Sequence, residues 1–489
     1  MPKTKSTRTR RKPCRVRVPA SFDPQEHLPT ELIKHADSAR YLLHRIIWGN
    51  VQKKQDLSGY VPLKFEYLRQ VIPERIIKPL REALEPDVIE CDHRYVKGEK
   101  SFGYRLSEQF QNDRIIEVAI QDPATAEKII NNRRAKDRKV RLDVHRWLRS
   151  KFKELDIDLP EATAILSGHR DFEAVKIPAE EIATKDVLFS VCRFGRVHTP
   201  LTRLAKQVRG CLHVDGQRLV NLDISNSQPL FLALLMMNYR RRGNNTLGYS
   251  TFKENVVDPY RNIESIIEQT VTPFTSKKKN IPPTLSSLSI TNRKAIEEES
   301  EVPYLHTLTS TTSCPQENPF IRKHLQQDEM LFMGLCEDGE LYEYLASIAD
   351  VPVRKWLKEQ FFEVLFSQNN FKSTLKTAFT EEFPNVAEVI RVHKRRNYQF
   401  LAQLLQNIES NFMINHVVRR IMSEMPEAPI FTIHDSIMTT DPYVDPVESI
   451  MMAEFGSLGL TPHIRPEYHQ KQSQRLTEGL RGPLVVHAD

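Results

Sequence analysis

No C-x-x-C pair occurs anywhere in the 489 residues. The six cysteines stand at 14, 91, 192, 211, 314 and 336, too scattered for a zinc ribbon or a disulfide framework. Reduced thiols in an intracellular protein are the expectation. Long apolar runs are missing too. A run such as PLFLALLMM, at 229–237, falls far short of the ~20 residues that span a bilayer. The N-terminus carries positive charge but no apolar segment behind it, so it does not read as a signal peptide. No internal repeat is visible. These absences argue against secreted disulfide scaffolds and membrane-spanning proteins. They leave an expectation of a cytoplasmic protein with no membrane partner.

What is present is clustered positive charge. The formal net charge is only +7, from 70 Lys+Arg against 63 Asp+Glu. Yet MPKTKSTRTRRKPCRVRVP opens the chain with eight basic residues and no acidic one. A second cluster runs through NNRRAKDRKVRLDVHRWLRSK at 131–151, and a third is VHKRRN at 392–397. Such patches attract phosphate backbones, although solvated tails and helix faces have the same composition.

The length suggests about three domains. Residues 1–25 read as a basic disordered tail. Over 26–112 the pattern is three helices and then VIECDHRYVKGEKSFGYRLS, two strands around a glycine-bearing turn. That is the order of a winged-helix-like domain, with Arg94, Lys97, Lys100 and Arg105 on its hairpin. A generic small α+β domain fits the pattern equally. Residues 113–190 read as a charged helical segment. In 191–244, LVNLDI is strand-like and SQPLFLALLMM begins a helix, capped by Ser225 or Ser227. Residues 245–325, rich in Ser, Thr, Pro and charge, read as a low-complexity insertion. Helices fill 326–400, and 401–489 holds a long helix followed by the hairpin-like APIFTIHDSIMTT.

Four motifs carry chemistry. Asp223 ends the apolar strand LVNLD, and Asp435 sits at the turn between IFTI and SIMTT. Two carboxylates brought together repel unless a divalent cation lies between them. Two Mg²⁺ ions so held suit phosphoryl transfer. In VRKWLKEQFFEVLFSQ, steps of four join Arg354, Lys358, Phe362 and Phe366 on one helix face. Two cations and two aromatics make a cradle for a nucleoside triphosphate. The neighbouring stripe Leu357, Phe361 and Leu365 also fits an ordinary amphipathic helix. Last, FGRVHTPLTRLAKQVRG, at 194–210, is a basic segment suited to a backbone or minor-groove contact.

In order and spacing these motifs resemble the right-hand polymerases of family A and their relatives, the single-subunit phage-type RNA polymerases. The matching residues are Gly195-Arg196, Asp223-Ile224-Ser225, Arg354-x3-Lys358-x3-Phe362-x3-Phe366-Ser367, Gln406, and His434-Asp435-Ser436. The resemblance covers roughly 185–240 and 335–470. It implies an α+β chain with a palm in two parts (191–244 and 401–489), helical fingers at 326–400 and a thumb-like segment at 113–190. It further implies that Asp223 and Asp435, helped by the Ile224 carbonyl, hold two Mg²⁺ ions. Lys358 and Arg354 would grip the triphosphate, with Lys358 also a proton donor to pyrophosphate. Phe362 would pack the incoming sugar and base, and Phe366 the templating position. His434 would position the primer end, and Arg196 and Gln406 would touch the primer-template minor groove.

The chain departs from the family at informative places. Family A DNA polymerases carry Glu five residues after the first Asp, as a gate against ribose; here the residue is Gln228. Motif B ends in Phe366-Ser367 rather than Tyr-Gly, and Ser436 matches the RNA enzymes. A bulky Gln228 favours deoxynucleotides. No proofreading exonuclease is apparent before the first motif. The implied protein is a DNA polymerase of a mobile element, plasmid or phage, nucleoid-associated. It would act on a DNA primer-template with dNTPs, and the 26–112 domain would bind a specific duplex. A single-subunit RNA polymerase or primase-polymerase is the nearest alternative. A replication protein with an inactive palm, and a two-metal nuclease, are others.

Overall fold

The computed structural model describes residues 14–53, 57–96, 100–137, 140, 142–169, 171–241, 322, 324–349, 354–395 and 397–468. Apolar side chains gather in two hydrophobic cores. One runs mainly from Cys14 to Ile129, and the other from Val140 to Ile464.

The first core is built on the helix Ala36–Lys53. Strand β1 (Arg15–Pro19) alternates basic and apolar residues, and it buries Val16 and Val18 at 1 % and 2 % exposure. It pairs antiparallel with β5 (Ile115–Ala119). Between these strands come β2 (Val61–Pro62), the helices Phe65–Leu68 and Glu74–Leu84, β3 (Ile89–Cys91) and β4 (Gly103–Leu106). The last three strands form a sheet in the order β2-β4-β3. The sequence along the chain is therefore helix, strand, helix, helix, strand, strand.

Two expected boundaries change here. Residues 1–13 of the expected tail lie outside the described residues, but 15–19 form β1, because Val16 and Val18 find a partner strand about a hundred residues away. The segment 113–190 is not one helical unit. Its β5 and Ile129 belong to the first core, whereas Val144, Leu148 and Phe152 belong to the second. Strand β6 (Leu155–Ile157) joins the main sheet by pairing with β9 (Leu212–Val214). The helix Asp143–Lys151 is fastened by Trp147 Nε1 to the Pro426 carbonyl at 3.0 Å and by Lys151 Nζ to that of Glu427 at 2.9 Å.

The second core surrounds an antiparallel sheet of β6, β9 (Leu212–Val214), β10 (Gln217–Ile224), β11 (Phe431–Ile433), β12 (Ser436–Thr440) and β13 (Ile464–Tyr468). Strand β10 is its centre. One edge pairs with β12; the other pairs with β9 at its start and β13 at its end. Such enclosure explains the continuous burial of Leu219 through Leu222. The run PLFLALLMM belongs to the helix Ser227–Arg241, where Leu230 through Met237 are all at most 2 % exposed. An apolar surface on every side makes it the buried central helix. Helices Gln327–Asp338 and Gln399–Asn411 pack against it. The expected insertion at 245–325 lies almost wholly outside the described residues. Among the described residues no helix is long and apolar enough to cross a membrane.

Candidate active site

Strand register brings the two aspartates together. Asp223, near the end of β10, lies opposite Ser436 at the start of β12. Asp435 immediately precedes that partner, in the two-residue turn His434-Asp435 closed by the Ile433–Ser436 pair. His434 takes the left-handed conformation such a turn needs, with φ of 58°. After Asp223 the chain turns sharply. The Ser225 amide donates to the His463 carbonyl at 2.9 Å, Asn226 is left-handed at φ 55°, and helix 227–241 begins at Ser227.

The electrostatics register the convergence. Burial pushes the Asp223 carboxyl up to about 6. The charges of Asp435 and Glu467 add to the rise, and Lys206 and Lys358 oppose it. Neither aspartate has a hydrogen bond or salt bridge to another side chain among the described residues. Two neighbouring carboxylates, both half-buried and neither bonded to a cation, are a fitting donor set for a divalent metal. The Ile224 side chain is in the core at 2 % exposure.

Lys358 projects from the helix Arg354–Phe366. This helix has two faces. Leu357, Phe361 and Leu365 are fully buried, at 0 % exposure. Lys358 is exposed, and Phe362 and Phe366 are half-buried. The two phenylalanine rings stack with centroids 5.8 Å apart, and Lys358 Nζ lies 5.9 Å from the Phe362 centroid. The apolar stripe and the cation-aromatic row thus coexist on adjoining faces. The Arg354 side chain lies outside the described residues.

Arg196 leaves the hairpin of β7 (Ser190–Val191) and β8 (Val197–His198) and meets a residue that the motifs did not single out, Glu409 on helix 399–411. Glu409 also accepts from the Gln228 amide. Burial drives its carboxyl up to about 7; Arg196 and the Gln228 bond restrain the rise, and Asp435 adds to it. Gln406, one turn earlier on the same helix, is half-buried. The His434 and His198 rings meet edge to face at 6.0 Å. Burial, then Arg196 and Arg203, lower the His198 pKa.

Glu467 is a second carboxylate the motifs missed. It accepts from Lys206 Nζ at 2.9 Å and from Asn221 Nδ2 at 3.2 Å. Lys206 and Arg209, from the basic segment at 194–210, therefore serve the Asp223 neighbourhood. Their signal was the positive charge itself, whereas β13 gave none.

On the first core, the hairpin cations differ in availability. Arg105 pairs with Glu90 at 2.7 Å and stacks 4.7 Å from the Tyr60 centroid. Lys100 pairs with Asp92 at 2.9 Å. Arg94 is exposed, and Lys97 lies outside the described residues. At the base of the same hairpin, Glu85, Cys91 and His93 bring potential ligand atoms within 4.8 Å of one another. The 3.0 Å Glu85–His93 contact already pairs two of them. No family model, curated protein or solved structure matches the chain, so its function is read from the geometry of the site itself.

Proposed function

We propose that the chain is a template-directed nucleotidyltransferase, a DNA polymerase of family A type, acting at Asp223 and Asp435. The observation that carries this reading is the meeting of a carboxylate near the end of β10 with one in the adjoining β11-β12 turn, with Lys358 close enough to lower the Asp223 pKa. Two Mg²⁺ ions bound there would supply activation of a primer 3′-hydroxyl and neutralise triphosphate charge.

The residues of the chain do the rest. Lys358, with Arg354 one turn before it, grips the triphosphate and donates a proton to the departing pyrophosphate. Phe362 packs the sugar and base of the incoming nucleotide, and Phe366 borders the templating base. His434 orients the primer end. Arg196 and Gln406 lie along the primer-template minor groove, where acceptors sit in similar places for every correct pair. The helix Glu74–Leu84 and the β3-β4 hairpin bind duplex DNA, an assignment supported by the helix-strand-helix-helix-strand-strand order of that unit.

Primer extension tests the proposal. A labelled DNA primer-template with Mg²⁺ receives dNTPs or NTPs in separate reactions. Wild type extends the primer, and Asp223→Ala and Asp435→Ala lower the rate by at least ~10³-fold. Extension that persists in both variants would remove these residues from the chemistry. A wild type inert on primed and unprimed templates would favour a replication protein with an inactive site.

A further inference from the structure

Three side chains of different ligand chemistry converge at the base of the β3-β4 hairpin. Glu85 caps the C-terminus of helix 74–84, Cys91 ends β3, and His93 follows two residues later. Their ligand atoms all lie within 4.8 Å of one another, and His93 Nε2 is 3.0 Å from Glu85 Oε1. Zinc bonds of about 2.0–2.3 Å place the ligand atoms of a tetrahedral site roughly 3.3–3.7 Å apart. Small side-chain rotations therefore convert this triangle into one that holds zinc.

The hairpin prepares the donors. Cys91 is half-buried and not in a disulfide. The His93 amide donates to its Sγ at 3.4 Å, which favours the thiolate. Asp92, between them, is committed elsewhere. It accepts from the Arg94 and Gly103 amides at 3.0 and 2.8 Å and from Lys100 at 2.9 Å. Those bonds fix the loop that carries His93, whose φ of 47° is left-handed.

A second observation comes from β4. Tyr104 is the direct cross-strand partner of Cys91, so both side chains stand on one face of the sheet. Tyr104 is 1 % exposed, and its hydroxyl is a buried oxygen with no hydrogen-bond partner among the described residues. Burial pushes its pKa up; Arg81 restrains the rise, and Cys91 and Glu85 add to it, which places the hydroxyl beside the cluster. A buried hydroxyl left unpaired is costly. Water in the fourth position of a three-ligand zinc ion supplies the missing partner.

We propose that Glu85, Cys91 and His93 bind a Zn²⁺ ion, with Tyr104 hydrogen-bonded to the water that completes its coordination. Thiolate and imidazole select zinc over the hard ions Mg²⁺ and Ca²⁺. The thiolate and the carboxylate together balance the charge of the ion. Zinc so held ties the end of helix 74–84 to the hairpin. The site is separate from Asp223 and Asp435 and independent of the function proposed for them.

The test is metal binding by full-length protein, stripped with a chelator and kept reduced. Co²⁺ is the probe, because its bond to a thiolate gives a near-ultraviolet charge-transfer band that carboxylates cannot give. Wild type is expected to develop the band, Zn²⁺ to abolish it, and excess Mg²⁺ to leave it. Cys91→Ser should lose it, whereas Cys192→Ser, at another half-buried thiol, should keep it. Zn²⁺ affinity, measured against a chromophoric chelator, should fall at least ~10²-fold in His93→Ala and about 10-fold in Tyr104→Phe. Zn²⁺ should also raise the melting temperature of wild type more than that of His93→Ala. His93 is exposed, so its variant decides if Cys91→Ser does not fold. No band in wild type, a band that survives Cys91→Ser, or an affinity untouched by His93→Ala overturns the site. What remains is then a Glu85–His93 ion pair beside a free thiol. An unchanged affinity in Tyr104→Phe overturns the part assigned to the hydroxyl.

Discussion

At Asp223, burial and the nearby charges of Asp435 and Glu467 outweigh Lys206 and Lys358, leaving the carboxyl at about 6. An unfolded Asp titrates near ~3.9. Between those values the folded chain binds more protons than the unfolded chain, so its stability falls as pH rises from about 4 to about 6. Above that window the ionised group keeps a cost on the order of 2–3 kcal/mol. Asp223→Asn removes that cost. The metal-free variant is therefore expected to be more stable than wild type at pH 7.5, by about 1–3 kcal/mol, and the gain should shrink toward zero near pH 4. Mg²⁺ should raise the melting temperature of wild type at pH 7.5 and leave the Asn variant nearly unchanged, because a ligand stabilises only the state that binds it. Thermal unfolding across pH, with and without Mg²⁺, checks both statements. A variant less stable than wild type at pH 7.5 would mean that Asp223 is compensated in another way.

At the level of single elements, helix 354–366 separates packing from binding. Phe361 is fully buried and meets the Phe379 ring at 5.4 Å, whereas Phe362 is half-buried and stacked on Phe366. Phe361→Ala should destabilise the chain by about 3–5 kcal/mol through an internal cavity. Phe362→Ala should cost well under ~2 kcal/mol in stability but raise the nucleotide KM. Denaturant unfolding and steady-state kinetics on the same two proteins separate the effects; equal stability losses would deny the helix its two faces. Both rows were legible in the sequence, since steps of four mark a helix face whatever that face does. The Asp223 strand and the Asp435 hairpin were legible for a similar reason, as each is an apolar run ending in a polar turn. Glu409 and Glu467 were not. Their importance comes from Arg196, Gln228, Lys206 and Asn221, all distant in sequence, and local pattern carries no trace of such pairing. Strand β1 was hidden differently. Arg15 and Arg17 dominate its composition, and the alternating valines acquire meaning only beside β5.

At the level of the whole molecule, the two cores are joined by a charged, buried contact. Glu181 lies between Arg17 at 3.2 Å and Arg203 at 2.9 Å, and the Arg203 guanidinium covers Trp48 at 4.5 Å from the ring centroid. Arg17 and Trp48 come from the first unit, and Arg203 comes from the segment that carries Arg196, so the joint ties the proposed DNA-binding unit to the proposed catalytic one. Arg75 and Lys78 on helix 74–84, and Arg94 on the hairpin, are exposed on the first unit. If all three bind phosphates of a duplex, replacing them with Ala should weaken duplex binding at every sequence. It should also reduce the slope of log K against log salt by about 2–3, at ~0.9 for each phosphate no longer neutralised. Arg105→Ala is the contrasting case. Its pair with Glu90 and its stacking on Tyr60 are internal, so it should lower the melting temperature and leave the salt slope unchanged. Fluorescence anisotropy with labelled duplexes over a range of salt concentrations measures the slopes. A triple variant with an unchanged slope would release this face from DNA binding. A slope change in Arg105→Ala would mean that the Glu90 pair opens on the duplex, and the DNA-binding surface would then lie along β4 rather than along helix 74–84.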